Sequence, residues 1–207
     1  MTTENRTVAN AEKIKVTGDM EVILETGPTS LRIEADENLL QYITTDNSDD
    51  WLVIRVKDHI NISEGKVRVY VTSPQFSHIA VTGSGNVSAK GKMEADNPTV
   101  YDVTGSGNIT MVIHAPRVNA GITGSGNINL SGETKDVEVS VTGSGNFNGI
   151  DLRADNVKVD ISGSGDVSVH ANAKLDADIR GSGDVKYRGN AAVNNSIGGS
   201  GSVDKVE

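Results

Sequence analysis

Val137-Glu138-Val139-Ser140-Val141-Thr142-Gly143-Ser144-Gly145-Asn146-Phe147 is the stretch that decides the fold. Three valines alternate with Glu138, Ser140 and Thr142, so the apolar side chains fall on one face with the period of two that marks a strand. The Gly-Ser-Gly triplet then breaks the pattern, and an apolar residue resumes it at Phe147. The preceding stretch is built the same way: Val157, Val159 and Ile161 alternate with Lys158 and Asp160 ahead of Gly163.

Outward from there the unit repeats. Gly-Ser-Gly begins at Gly83, Gly105, Gly124, Gly143, Gly163, Gly181 and Gly199, at intervals of 22, 19, 19, 20, 18 and 18 residues. Two residues before it stand Val81, Val103, Ile122, Val141, Ile161, Ile179 and Ile197. Directly after it come Asn86, Asn108, Asn127, Asn146, Asp166, Asp184 and Ser202. Several aligned columns recurring at this period mark a solenoid. Strand periodicity within 18–20-residue coils predicts an all-β, right-handed parallel β-helix of about seven regular coils, roughly 30–35 Å of stacked strands. The handedness follows from the general preference of crossover connections. Glycine supplies positive φ at the turn and lets neighbouring backbones approach. Asn tolerates left-handed geometry, and its amides can bond along a column.

Residues 79–207 form the regular stack in this reading, residues 1–78 form irregular first coils and a cap, and the whole of 1–207 is one domain. Val16-Thr17-Gly18-Asp19-Met20-Glu21-Val22 reads as a degenerate copy of Val81–Val87. Strand patterns follow at Ser30–Ala35, Leu52–Val56 and Lys66–Val71. Between them, residues 36–45 predict a short helix capped by Asp36, with Leu39, Leu40 and Ile43 on one face.

Composition narrows the chemistry. The chain has 207 residues, a net charge of -9 and no cysteine, which removes disulfides and thiolate chemistry. No run of lysine or arginine is visible, so nucleic acid and anionic membranes are not expected partners. No apolar run is long enough to span a membrane, and no export signal precedes Thr2; Met1 could replace a removed one.

The repeated Val-Thr-Gly-Ser-Gly-Asn-Val element, as at Val81–Val87 and residues 141–147, resembles the bacterial putative auto-transporter adhesin family, whose unit is the head GIN domain. The stretch from Ile33 to Ile43, followed by Leu52–Val56, carries the rest of the likeness, which extends over nearly the whole chain. The resemblance implies a β-helix superficially like pectin lyases, an extracytoplasmic location (periplasmic, outer-membrane-attached or secreted) and an adhesive role.

Candidate site residues come from the outward columns. Asp160 and Asp178 are expected side by side on adjacent coils with Arg180 further along the face, the one arrangement reminiscent of a polysaccharide lyase or hydrolase. Without a third converging acid or base, solvated surface charge is the favoured reading, and no catalytic residue is assigned. Glu138, Lys158 and Asp176 read as a structural charge ladder. Thr82, Thr104, Thr123 and Thr142 form the expected ligand-facing column beside the Asn ladder. Acidity leaves room for calcium, but the β-roll calcium turn would have to recur on both sides of each coil, and Asn172-Ala173-Lys174 lacks it. His59, His78, His114 and His170 show no metal-ligand spacing. The reading is a non-catalytic envelope or secreted binding module without cofactor, facing glycan or a cell-surface protein. A lyase or hydrolase and a structural spacer stand as alternatives. Homo-oligomerisation through open solenoid edges is left open.

Overall fold

The computed structural model describes residues 1–57 and 67–207. Lys66, the first residue of one expected strand, and His59 lie outside them. The described strands are β1 (Thr2–Arg6), β2 (Lys13–Thr17), β3 (Glu21–Thr26), β4 (Ser30–Ala35), β5 (Ile43–Ser48), β6 (Trp51–Val56), β7 (Arg68–Ser73), β8 (His78–Gly83) and β9 (Asn86–Glu94). They continue with β10 (Thr99–Gly105), β11 (Asn108–Gly124), β12 (Asn127–Gly143), β13 (Asn146–Gly163), β14 (Val167–Gly181), β15 (Val185–Arg188), β16 (Ala192–Gly199) and β17 (Val203–Lys205).

From β8 onward the chain is a parallel β-solenoid of about seven turns. Each coil pairs with the next in unbroken register at the triplet: Gly83 opposite Gly105, then Gly124, Gly143, Gly163, Gly181 and Gly199. The valine and isoleucine columns point into one continuous core, in which Ile79, Val139, Val159 and Ile179 have no exposure. Inter-coil bonds run through the turns as well as the strands: Ser144 and Gly145 both donate their N–H to the Gly124 carbonyl, at 2.8 and 2.9 Å. Strands β11 to β14 bend rather than run straight, and the alternation of burial loses phase at the bends, as at Ser131-Gly132.

Layer order departs from chain order at the N-terminal end. The coil β2–β3 lies directly on β8–β9, with Val16 opposite Val81, Thr17 opposite Thr82 and Val22 opposite Val87. The later coil β6–β7 stacks on its other side. The degenerate copy of the repeat is therefore a true layer, placed between two layers that follow it in sequence.

The expected helix shrinks to one turn, α1 (Glu37–Leu40), and the Asp36 side chain makes no capping bond. Ile43 belongs to β5, which runs antiparallel to β6. β-Branched Ile43, Thr44 and Thr45 favour a strand once an unpaired edge is offered to them. On the neighbouring side β4 runs antiparallel to β7, and β1 antiparallel to β4. Arg6 ties the two sides together by donating to the carbonyls of Ile43 and Leu40 at 2.6 and 3.1 Å. The N-terminal end of the stack is thus covered, as an open solenoid end requires. At the other end every residue of β16 is exposed, including Val193 and Ile197, and among the described residues β16 pairs with β14 alone.

Candidate functional site

The outward columns can now be placed. Thr82, Thr104, Thr123 and Thr142 lie opposite one another on successive coils, continued backwards by Thr17 and forwards by Ser162. Thr82 is half-buried and the other three are exposed, forming a flat hydroxyl strip. Across the turn, Asn108 donates its amide to Asn86 at 2.7 Å, Asn127 to Asn108 at 2.8 Å, and Asn146 to Asn127 at 3.1 Å. From Asp166 on, the backbone N–H of each new coil donates to the preceding side chain instead, as Asp166 does to Asn146 at 2.9 Å and Asp184 to Asp166 at 3.0 Å. An acceptor-only carboxylate suits that second pattern.

Asp160 and Asp178 are opposite each other on β13 and β14. Each is already engaged: Lys158 sits 3.1 Å from Asp160, and Arg180 sits 2.8 Å from Asp178. Among the described residues no three of His, Cys, Asp and Glu converge as metal ligands would. On the neighbouring column Glu138 lies between Arg117, at 2.8 Å, and Lys158, at 3.2 Å. Lys158 first and then Arg117 hold its carboxyl below the usual carboxylate range, and Lys174 does the same for Asp176. This ladder of alternating charge spans four coils. Nearer the cap, His78 bonds Asp102 at 2.7 Å, with the Trp51 ring packed at 4.5 Å on the imidazole.

Shallow cavities lie on the charge ladder and beside the N-terminal cap, and two more adjoin at the bend beyond the Asn column. Coil lengths explain the adjoining pair. Between Ser88 and Lys92 three residues face the single Met111, so β9 bulges outward around Gly91. Between Asn148 and Asp151 two residues face the single Leu130, and Ile150, Asp151 and Leu152 have no counterpart on β14 at all. The two shorter coils between these bulges form the floor of a trough whose walls are three strand spacings, about 14 Å, apart.

Two adjoining cavities of about 270 and 510 Å³ occupy the trough and share Val112 and Asp151. The first presents the hydroxyls of Ser88, Thr110 and Ser131 and the amides of Asn129 and Asn148. The second adds Lys92, Glu133, Arg153, His170 and Arg188 around Gly132. Val112 on the floor is 44% exposed, one of few large apolar side chains so placed among the described residues. Gly132 has a φ of +115° and packs against the Ile113 backbone, which leaves no room for a side chain. None of the trough residues stood out in the sequence. The only signal was the 22- and 20-residue intervals on either side of two 19-residue ones.

The family model described as "Putative auto-transporter adhesin, head GIN domain" matches residues 10–191. The chain belongs to this family. Solved structures similar to this head GIN chain share its fold. A putative adhesin from Bacteroides fragilis NCTC 9343 superposes with a TM-score of 0.90 at 24% identity, covering 99% of this chain and 96% of that one. A putative lipid binding protein from Parabacteroides distasonis ATCC 8503 gives 0.79 at 24% identity, over 100% and 96%. A putative adhesin from the same strain gives 0.71 at 26% identity, over 99% and 96%. No curated protein matches the head GIN chain in sequence. Family membership makes it an adhesion-like module and points to an extracellular or surface location. No helix among the described residues is long and apolar enough to cross a membrane.

Proposed function

We propose that residues 1–207 act as one non-catalytic adhesion domain that holds a glycan chain in the trough between the β9 and β13 bulges. The observation that carries this is the composition of the trough: exposed Val112 with Thr110, Ser131 and Asn129 on the floor, and the Asn148 amide on the β13 wall. A sugar ring offers an apolar C–H face and a rim of hydroxyls, and a site with one apolar platform and several fixed donors and acceptors matches both. The threonine column supplies a second, flat polar face on the same module. Catalysis is disfavoured because Asp160 and Asp178 each hold a cation of their own.

Titration of the protein with neutral and acidic oligosaccharides by calorimetry, beside an assay for new reducing ends, tests the reading. Saturable binding without turnover is expected, lost in Val112→Asp and retained in Thr123→Arg. Turnover abolished by Asp178→Asn, or binding lost only in Thr123→Arg, would overturn it.

A further inference from the structure

The sequence shows no run of basic residues, yet the stack assembles one. Arg153, His170 and Arg188 are separated by 17 and 18 residues and lie opposite one another on β13, β14 and β15. They form a column at one end of the trough, in a chain whose net charge is -9. Arg188 has Asp151 at 3.6 Å and donates its Nε to the Glu207 carbonyl at 2.8 Å. Arg153 and His170 make no ion pair or side-chain hydrogen bond with the described residues, although Glu133 lies opposite Arg153. Lys92, on the far wall of the same cavity, is 3.4 Å from Glu94.

We infer that this column binds the carboxylate or sulfate groups of an acidic polysaccharide. The inference rests on the reading of the trough as a glycan site and adds the class of glycan. A guanidinium presents a planar fork to an oxyanion and stays charged at any physiological pH. Arg153 and Arg188 stand two coil spacings, about 9.6 Å, apart, roughly the length of two sugar residues, so a chain leaving the trough over the β13 bulge meets both.

Three oligosaccharides of equal length test this: one neutral, one of uronates, one sulfated, each titrated at low and high salt, with anionic lipid vesicles as a fourth probe. The acidic oligosaccharides are expected to bind at least tenfold more tightly than the neutral one at low salt. Arg153→Gln should remove most of that advantage, so that acidic and neutral chains bind the variant to within about twofold of one another. A difference between the uronate and sulfate arms identifies the oxyanion preferred. Equal binding of neutral and acidic chains, lost together in Val112→Asp, would overturn the inference and keep the glycan reading. Binding of vesicles alone, or of no oligosaccharide, would overturn both.

Discussion

Gly143 and Gly145 are two residues apart and are required for different reasons. Gly143 has a φ of +115°, which side chains disfavour, and a Cβ there would also meet the Gly124 carbonyl at 2.5 Å. Gly145 has ordinary φ but is pressed onto the coil beneath, against the Gly126 carbonyl and 2.6 Å from the Ile122 methyl. Gly91, in the β9 bulge, has a φ of +90° and nothing within 4 Å. Gly145→Ala should therefore cost about 3 kcal/mol or more, through backbone displacement, whereas Gly91→Ala costs about 1 kcal/mol of conformational strain alone. Denaturant melts of the two variants decide this, and equal losses would contradict it. Tyr101 makes a second prediction at this scale. It is 3% exposed, and burial pushes its phenol up to about 12, only partly opposed by a hydrogen bond with Thr99. Of the four tyrosines, one should stay protonated in an alkaline absorbance titration until about that pH. Because the folded value is the higher one, stability is intact below about pH 10 and falls by roughly 3 kcal/mol as the pH rises to 12. Tyr101→Phe should remove that part of the alkaline loss.

The element that shapes the site is the bulge, and bulges are length differences absorbed locally. The 22-residue coil exceeds its neighbour by three residues, two of which are taken up between Ser88 and Lys92. Deleting Ala89 and Lys90 should let β9 follow β11 closely. The deletion is expected to lower the melting temperature, since half-buried Ala89 packs on the core and pairs with Leu24 while Lys90 contacts Glu25 at 3.3 Å, and to bind oligosaccharide at least tenfold more weakly below that melting point for want of one trough wall. Calorimetry on the deleted protein checks it; unchanged affinity would remove β9 from the site. The element level is also where reading the sequence met its limit. Alternating valines and repeated triplets identify strands and turns because the core imposes the same requirement at every layer. The interval of 22 was visible too, but nothing in the residues said at which bend the surplus would emerge. The Arg153–His170–Arg188 column was hidden for a related reason: residues adjacent in the stack are a full coil apart in sequence, and that distance varies with each bulge.

At the scale of the molecule, the repeat made the stacking of residues 79–207 legible, while the first 78 residues were legible only in pieces. Val16–Val22 could be matched to Val81–Val87, and the structure does set them side by side. The order of the layers was not legible in the residues, and the strands Trp51–Val56 and Arg68–Ser73, later in the chain, lie outside this copy. The helix expected over residues 36–45 was misread because Leu39, Leu40 and Ile43 have helical spacing, whereas the antiparallel cap offers Ile43 a strand partner in Val56. The two ends differ accordingly, one closed by β1, β4 and β5 and the other exposing the edge of β16.

The displaced layer has a consequence in time. Residues 13–26 are made before either of their stacking neighbours, one of which is completed only at residue 73 and the other at residue 94. Until residue 73 the coil has neither neighbour complete, and until residue 94 it has only one. Only then can it close. Every later coil, by contrast, finds its lower neighbour already in place, so the protein begins with a wait and ends as a zipper.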